Sequence, residues 1–381
     1  MRRPVPSLDS FSFLPALQPY PTDTMSLPSP KTSGTSSAKP RIAVLLGDPS
    51  GIGPEMAVKL LARQRNLDAA RVLLIADPVV LASGERIAGE KLNPLRVDSL
   101  DAVRFEDGRP TLLAMNWMEG REPVLGESNE RSGLASFEAL ELATLAVRRE
   151  QAEGILFAPL NKHSLRLGGL VHEDELRYMQ ERFAVEGFVC EFNLTGSLWT
   201  SRVTSHIPLK DVASHITVEG VSDAVKIIAS ALRRAGVAQP RIAVTGLNPH
   251  AGDGGSIGRE EIEIIAPAIA QLRAEGFDAR GPFSPDTVFI GARRGDVDAV
   301  VSMYHDQGQI AMKLMGFEQG VTLHGGLPVP VATSASGSAF DIAGQGVAQI
   351  EGLQQAFDLC VRMASGAPVR APSSTEAAAA G

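Results

Sequence analysis

Seven histidines are the residues of this chain best suited to metal chemistry: His163, His172, His206, His215, His250, His305 and His324. No two of them have a close local spacing such as His-Glu-x-x-His, so spacing alone does not establish a metal site. Three of them, His206, His250 and His305, follow an apolar segment or stand at the entry of a loop. Three neutral imidazoles leave the full double charge of a divalent ion available as a Lewis acid. These three are a candidate ligand set, and surface or structural roles are the alternative.

The segment 246–255 (GLNPHAGDGG) places His250 among four glycines, directly after a predicted strand over 241–245. Glycine permits positive φ angles and a close approach of the backbone to another group. A histidine in such a loop is less often a packed core residue. We therefore expect it to contact a ligand or a metal, and capping of the turn is the alternative.

A second polar cluster, Tyr304-His305-Asp306-Gln307-Gly308, follows a predicted strand over 297–303. Titratable groups at the exit of a strand are a common setting for catalysis. Lys313 stands eight residues after His305. Taken alone, this lysine is more typical of a solvated surface than of an active site.

Two further loops are rich in small residues. The segment 47–55 (GDPSGIGPE) offers free N–H groups at the start of a helix, but its spacing matches neither G-x-G-x-x-G nor a Walker loop. A tight structural turn is therefore as reasonable as a phosphate site. In 336–344 (SGSAFDIAG), small residues let a bulky group approach, and Asp341 can accept hydrogen bonds from a ribose. The alternative there is a helix entry capped by Asp341.

Short β-branched strands alternate with helical segments along the chain, which predicts an α/β protein with a largely parallel sheet. In such folds ligands gather where strands end, which is where these loops lie. Besides the two strands named above, we predict strands over 41–46, 72–76 and 154–157. Helices are predicted over 54–63, 136–150, 173–184, 218–235 and 259–275.

Length and composition limit the classes of protein. With 381 residues the chain suggests two domains. Its net charge of −8 and its lack of a basic tract argue against nucleic acid binding. No apolar run approaches the roughly 18 residues of a membrane helix. Cys190 and Cys360 form neither a disulfide framework nor a zinc spacing, so a reducing cytoplasm is expected.

Both ends of the chain have a composition typical of disorder. Residues 1–39 are rich in Ser, Pro and Thr without periodicity, and residues 366–381 are similar. We predict a disordered leader and a disordered tail. The leader has no sustained apolar core, so it does not resemble a secretory signal, and Met25 is an alternative start.

Taken in order, GDPSGIGPE, LNPHAGDGG, SPDT, YHDQG and the following lysine resemble the 4-hydroxythreonine-4-phosphate dehydrogenases over about residues 41–365. GSAFDIAG is similar to the cofactor loop of the isocitrate and isopropylmalate dehydrogenases, whose fold that family shares. The resemblance implies two α/β/α domains with a cleft between them, and a homodimer. The first domain would comprise 40–155 plus 330–365, and the second, with the metal and substrate site, 156–329.

The resemblance also implies a site. Its metal ligands are His206, His250 and His305, shared across the dimer, and Lys313 and Asp286 fall on positions that contact substrate or supply an active-site carboxylate. Asp286 and Asp306 are candidates for the base or for orienting the histidines. The cofactor loop comprises Gly337, Ser338, Ala339, Asp341, Ile342 and Gly344. Asp341 favours NAD over NADP, because a carboxylate would repel a 2′-phosphate.

Three positions depart from the family pattern. The substrate-side histidine matches His172, but Glu173 follows it where the family has threonine. Thr322 replaces a substrate-contacting asparagine. The phosphate-side arginine is missing from 327–334, and its bidentate grip is lost. His324, Lys162 and Arg177 are candidates to compensate. These changes resemble a side branch that acts on 4-phospho-D-threonate or 4-phospho-D-erythronate.

We therefore predict a cytoplasmic NAD- and metal-dependent dehydrogenase that oxidises the secondary hydroxyl of a 4-phosphorylated hydroxy acid, followed by decarboxylation. The alternative substrate is 4-hydroxythreonine 4-phosphate of pyridoxal phosphate biosynthesis. Histidine ligation suits Zn, Co, Ni or Mn, and Mg is also considered. More remote alternatives are a metal-dependent hydrolase and an inactive nucleotide-binding protein.

Overall fold

A computed structural model describes residues 39–316 and 319–366 of the chain. The predicted leader, apart from Lys39, and the predicted tail, apart from Gly366, lie outside the described residues. The strands are β1 Arg41–Leu45, β2 Arg71–Ala76, β3 Leu95–Val97, β4 Thr111–Ala114, β5 Gly154–Phe157, β6 Cys190–Thr195, β7 Leu198–Arg202, β8 Arg241–Thr245, β9 Asp278–Phe283, β10 Ala299–Ser302, β11 Val321–Gly325 and β12 Val331–Ser334. They form one twelve-stranded sheet in the order β3-β4-β2-β1-β5-β12-β11-β6-β7-β10-β8-β9.

The α-helices of the described residues are α1 Gly53–Leu61, α2 Gln64–Ala69, α3 Pro78–Ala88, α4 Glu130–Arg148, α5 Lys162–Leu167, α6 Glu175–Arg182, α7 Val212–His215, α8 Val218–Arg234, α9 Ala266–Ala274, α10 Val288–Arg293, α11 His305–Gly316 and α12 Glu351–Ser365. Alternate residues of β1 point to opposite layers of helices. Ile42 and Val44 join a core with α1, α8 and α12, whereas Ala43 and Leu45 join a core with α4 and α6. The predicted α/β class with helices on both faces is confirmed.

The direction of the strands changes within the sheet. β3, β4, β2, β1, β5 and β12 are mutually parallel, as are β7, β10, β8 and β9. Three successive antiparallel pairings, β12–β11, β11–β6 and β6–β7, join the two blocks. An odd number of reversals makes the two blocks run in opposite directions, so their carboxyl ends lie at opposite edges.

Capping side chains set the starts of two helices. The helix predicted over 136–150 begins earlier, at Glu130, because Asn129 Oδ1 accepts a hydrogen bond from Ser132 N at 2.9 Å. The helix predicted over 173–184 begins after Asp174, whose carboxylate accepts from Arg177 N at 2.9 Å. The polar cap residues therefore fix these starts more sharply than the apolar period does.

The helix predicted over 259–275 is divided. A π-helical turn spans Glu261–Ile265, and α9 follows with Pro267 in its first turn. Proline cannot donate a backbone hydrogen bond to the preceding turn, which explains why the regular pattern is interrupted there. The turn places Glu261 beneath the loop that carries His250.

The division into 40–155 plus 330–365 and 156–329 stays a prediction. The sheet runs through both segments, and the boundary between residues 155 and 156 lies inside β5. Across residues 39–316 and 319–366, no helix combines the length and the apolar character needed to cross a membrane.

Candidate active site

Two of the three candidate metal ligands lie side by side after neighbouring strands. His206 follows β7, His305 opens α11 directly beyond β10, and their ring centroids are 5.9 Å apart. His206 Nδ1 lies 3.0 Å from Glu173 Oε1. His305 Nδ1 lies 2.7 Å from Asp306 Oδ1. A carboxylate on one ring nitrogen holds the imidazole so that the other nitrogen faces outward, which suits a metal ligand.

His250 stands in a loop with unusual backbone geometry. Five successive residues, from His250 to Gly254, have positive φ angles between 45° and 82°. Side chains other than glycine adopt this left-handed region at a cost, so the loop needs support from its surroundings. Buried Glu261 supplies it: its Oε1 accepts from Leu247 N and Asn248 N, both at 2.7 Å.

The side chain of Gln307 connects the loop after β8, which carries His250, to the end of β10, which precedes His305. Its Oε1 accepts from Met303 N at 2.6 Å and from Thr245 Oγ1 at 2.8 Å, while its Nε2 donates to Gly246 O at 2.9 Å. The start of the His250 loop is therefore bonded to the segment that carries His305.

Asp286 is close enough to His250 for the two side chains to interact electrostatically. Ser284 Oγ donates to its carboxylate at 2.5 Å, and this hydrogen bond, assisted by the charge of His250, lowers the pKa of Asp286. The side chain is fully exposed. It is therefore ionised and accessible, as an acceptor for a proton must be.

The three predicted histidines do not form a compact ligand group within one chain. Among the described residues, two groups of three have ligand atoms within 4.8 Å of one another: Glu173 with Asp174 and His206, and Glu175 with Glu191 and His324. The histidine trio stays a prediction.

Lys313 lies on α11, and Thr322 lies on β11. His305, Gln309 and Lys313 lie on one face of α11, because residues four apart share a helix face. Gln309 Nε2 donates to Asn193 Oδ1 on β6, and Asn193 Nδ2 donates to Thr322 Oγ1 at 3.4 Å. These contacts connect Thr322 to α11, the helix that also carries His305 and Lys313.

His172 is placed differently from its neighbour Glu173. Its Nε2 lies 2.8 Å from Glu181 Oε2, and its ring packs edge-on against Tyr178 with centroids 5.5 Å apart. His172 thus faces α6, whereas Glu173 contacts His206. The substrate-binding role of both residues remains a prediction.

The two loops rich in small residues contact each other at the opposite edge of the sheet. Ile52 N donates to Ser338 O at 3.0 Å, and a Cβ on Gly51 would lie 2.6 Å from that oxygen. Asn161 Nδ2 donates to Ser338 Oγ at 3.4 Å. A Cβ on Gly337 would meet nothing within 4 Å, so this backbone is open to a ligand. Gly51 of the first loop is therefore required, because a side chain at this position would collide with the backbone of Ser338.

A groove lies beside α1 and the start of α12. Its volume is about 420 Å³, within the range of ligand pockets, and its lining includes Lys59, Arg63, Glu90 and residues 348–351. Lys59 Nζ donates to Gly346 O at 2.9 Å and to Ala348 O at 3.0 Å. This lysine fixes the segment that follows the predicted cofactor residues.

Comparison with known proteins identifies the family. The model described as pyridoxal phosphate biosynthetic protein PdxA matches residues 68–360. A Pseudomonas aeruginosa protein provisionally named 4-hydroxythreonine-4-phosphate dehydrogenase 2 is 49% identical over 327 residues, 85% of this chain and 97% of that protein. The chain belongs to the PdxA family.

Other members confirm the predicted family and fold. D-threonate 4-phosphate dehydrogenase of Cupriavidus necator is 38% identical over 333 residues, 85% of this chain and 98% of that protein. The crystal structure of 4-hydroxythreonine-4-phosphate dehydrogenase from Klebsiella pneumoniae superposes with a TM-score of 0.74 and 33% identity, covering 87% of this chain and 100% of that chain. This PdxA-family chain is an oxidoreductase acting on CH–OH groups.

Glu175, Glu191 and His324 form a buried group of titratable side chains in this PdxA-family chain. His324 is 3% exposed, and neither of its ring nitrogens has a hydrogen-bond partner among the described residues. Burial raises the pKa of the Glu175 carboxyl. Burial also acts to raise the pKa of Glu191, but His324, Arg202 and Lys162 outweigh it and lower that pKa.

These contacts bear on which residue could replace the missing phosphate-side arginine. His324 and Lys162 face two glutamates, and carboxylates beside them weaken their attraction for a phosphate. Arg177 Nη1 donates to Gln180 Oε1 at 2.9 Å on the surface of α6. The structure therefore assigns no single replacement.

Glu261, Gln307, Asn193 and Arg202 were not selected from the sequence. Their importance comes from contacts with distant residues, which no local spacing reveals. Gln307 lies inside the YHDQG motif, and this position is the one signal that could have pointed to it.

Proposed function

We propose that this chain is an NAD-dependent and divalent-metal-dependent dehydrogenase that oxidises the secondary hydroxyl of a 4-phosphorylated hydroxy acid, with decarboxylation following. The observation that carries the proposal is the convergence on α11, where His305 and Lys313 share a face and the ring of His206 lies 5.9 Å from His305. A metal-dependent hydrolase would have no use for the loop over 336–344.

The residues present fit a divalent cation. Imidazole nitrogens suit first-row metals, and the carboxylates of Glu173 and Asp306 hold two of the three rings. His206, His250 and His305 would hold the ion. When bound, it lowers the pKa of a coordinated hydroxyl and stabilises an enolate.

The chain's own residues divide the proton transfers between them. Asp306 is engaged with His305, so we assign it to orienting that ring. Asp286 is ionised and exposed, and we assign it as the acceptor of the hydroxyl proton. Lys313 would donate a proton to the oxyanion that develops when carbon dioxide leaves, or would stabilise that oxyanion with its positive charge.

The residues at the other edge fit a dinucleotide. The backbone at Gly337 is open to a bulky group, and exposed Asp341 is available to a ribose. Ser338, Ala339, Ile342 and Gly344 complete the proposed cofactor loop. Replacing Asp341 with Ala should weaken the binding of NAD, measured by calorimetry. It should also reduce the ratio of affinities by which the protein prefers NAD to NADP. Unchanged affinity for NAD would remove this assignment.

We favour 4-phospho-D-threonate or 4-phospho-D-erythronate as the substrate. Thr322 in place of asparagine, and the absence of the arginine from 327–334, support this choice, as does the relative named D-threonate 4-phosphate dehydrogenase. Oxidation of 4-hydroxythreonine 4-phosphate is the second candidate, supported by the name of the Klebsiella protein. We further propose a cytoplasmic homodimer in which the two subunits share metal ligands.

The test is reduction of NAD by the metal-loaded protein with each of these three acids in parallel. Preference for either sugar-acid phosphate supports the proposal, and preference for the amino acid phosphate supports the second candidate. Reduction of NAD by none of them would reject a phosphorylated substrate. Replacing His305 with Ala should abolish both metal retention and turnover, and a variant that kept both would reject the ligand assignment.

A further inference from the structure

Two neighbouring strands near the centre of the sheet, β6 and β11, present polar side chains on one face. Along β6, the buried residues Cys190, Phe192 and Leu194 alternate with half-buried Glu191 and Asn193. Antiparallel register places Asn193 directly opposite Thr322 on β11. Side chains directly opposite in such a pair are neighbours, so Asn193 and Thr322 share one surface.

The hydrogen bonds around Asn193 fix the orientation of its amide. Its Oδ1 accepts from Arg202 Nη1 at 2.8 Å and from Gln309 Nε2. Guanidinium and amide N–H groups only donate, so the atom facing them must be the oxygen. The NH₂ group therefore faces Thr322, whose Oγ1 lies 3.4 Å away. That contact is longer than an ordinary N–H···O bond and leaves the amide's donors largely unused.

Both donors to Asn193 connect it to the candidate active site. Gln309 stands one turn after His305 and one turn before Lys313 on the same face of α11. Arg202 is 4% exposed, and its Nε donates to the hydroxyl of Ser205 at 2.8 Å, next to His206. Asn193 thus lies between the segments that carry two candidate metal ligands and the candidate substrate lysine.

The direction of these bonds also sets the polarity of Thr322. Because the Thr322 oxygen faces the NH₂ group of Asn193, its own O–H points away from Asn193. The pair therefore offers an amide N–H and a hydroxyl O–H, both as donors, on the face of the sheet that contacts α11 through Gln309. Such a surface fits a hydroxyl or carboxylate oxygen and disfavours an ammonium group, which has only protons to offer.

We propose that Asn193 contacts the substrate and, together with Thr322, selects acids that carry a hydroxyl rather than an amine next to the carboxylate. The inference rests on the proposed function, because it assumes that a phosphorylated acid binds beside Lys313. It deepens that function by assigning the choice between the candidate substrates to two facing residues of β6 and β11.

The decisive variant is Asn193→Asp, which preserves size and leaves an oxygen for Arg202 and Gln309. It turns the outward donor into an acceptor, so Thr322 must donate to it and the pair loses its donor character. We expect the ratio of Kd values for 4-phospho-D-threonate and 4-hydroxythreonine 4-phosphate to shift at least tenfold towards the amino acid. Binding is measured calorimetrically on the metal-loaded protein without NAD, so neither acid is turned over.

The matched control is Glu191→Gln, on the same face of the same strand and in contact with the same arginine at 3.0 Å. We expect this control to leave the ratio within twofold, which separates selection by Asn193 from general loosening around Arg202. If Asn193→Asp does not fold, Asn193→Ala replaces it and should weaken 4-phospho-D-threonate about tenfold while leaving the amino acid within threefold.

The outcomes separate this inference from the proposed function. A wild-type protein that binds both acids but reduces no NAD rejects the function, and the shift in the ratio still tests Asn193. A ratio unchanged by Asn193→Asp, or an equal loss for both acids, overturns the inference while the function stands. Failure of the wild-type protein to bind either acid overturns both.

Discussion

Two groups of side chains, joined through the consecutive residues Asp174 and Glu175, offer the same functional groups and differ in exposure. Glu173, Asp174 and His206 form a group whose glutamate and histidine are exposed, whereas Glu175, Glu191 and His324 form a group within the interior. Each has two carboxylates and one imidazole. In the buried group, the pKa of Glu175 is raised, and Arg202 and Lys162 stand beside the carboxylates.

The difference shows that a list of ligand-type residues does not define a metal site. A cation entering the buried group would meet two fixed positive charges, and removing it from water would cost free energy. At the exposed group, solvent and the neighbouring ring of His305 are accessible. We therefore propose that His206 of the exposed group takes part in metal binding, and that the buried group contributes to structural stability.

The largest expected effect comes from the exposed group. Replacing His206 with Ala should abolish metal retention after dialysis and reduce turnover to background, because one of three ligands is lost. The free energy of unfolding of the metal-free protein should change by less than about 0.5 kcal/mol, as for other surface substitutions. Exposed His215 on α7, changed to Ala, is the matched control and should retain metal. Full metal content in the His206 variant would reverse our assignment.

The second effect comes from the buried group. Replacing Glu191 with Leu leaves Arg202 in the interior without its carboxylate, which lies 3.0 Å away in a pair only 4% and 20% exposed. Breaking a buried pair costs about 3–5 kcal/mol, so we expect a loss near 3 kcal/mol in urea unfolding, since Asn193 and Ser205 remain bonded to Arg202. Metal content should be retained. A loss no larger than that of Glu173→Ala would show that burial does not separate the groups.

The third effect concerns pH. Because burial raises the pKa of Glu175 in the folded protein above the ordinary value of 4.5, the folded state holds the proton longer than the unfolded state. Stability should therefore fall as pH rises from about 4.5 towards the folded pKa, by about 1.4 kcal/mol for each unit of difference. Glu175→Gln removes this titration, so its stability relative to wild type should rise between pH 4.5 and pH 8 in urea unfolding. A constant difference between variant and wild type would contradict this sign.

The smallest effect is expected from Glu173→Gln, which retains an oxygen near His206 Nδ1 but removes the charge. Loss of such an orienting carboxylate weakens metal binding about tenfold. Titration with Zn²⁺ against a competing chelator measures the change. Glu181→Gln, at the carboxylate that faces His172 instead, should leave the affinity unaltered and serves as the control.

The sequence predicted the parts of the fold that depend on local pattern. Its strands over 154–157 and 241–245 agree with β5 and β8. β6 and β11 were missed, because their half-buried polar residues do not form the continuous apolar run of a parallel strand. The reversal between the two blocks depends on antiparallel pairing of segments far apart in the chain, and no local pattern encodes it.

The candidate site, like the fold, was predictable only where a local sequence pattern marks it. Motif loops pointed to His206, His250 and His305, and the structure brings His206 and His305 together. The residues that support them, such as Glu261 and Arg202, are ordinary charged residues until a distant partner gives them a role. A buried carboxylate beneath a loop becomes visible only when the tertiary contacts are known.

The support of the His250 loop by Glu261 has a consequence for the order of assembly. Glu261 follows His250 by eleven residues and belongs to a π-helical turn that ends at Ile265. The backbone N–H groups of Leu247 and Asn248 therefore lack their acceptor until that turn has docked. During synthesis on the ribosome, the loop emerges before the carboxylate that shapes it. The proposed capture of metal through His250 is therefore expected only after tertiary folding has brought Glu261 to the loop.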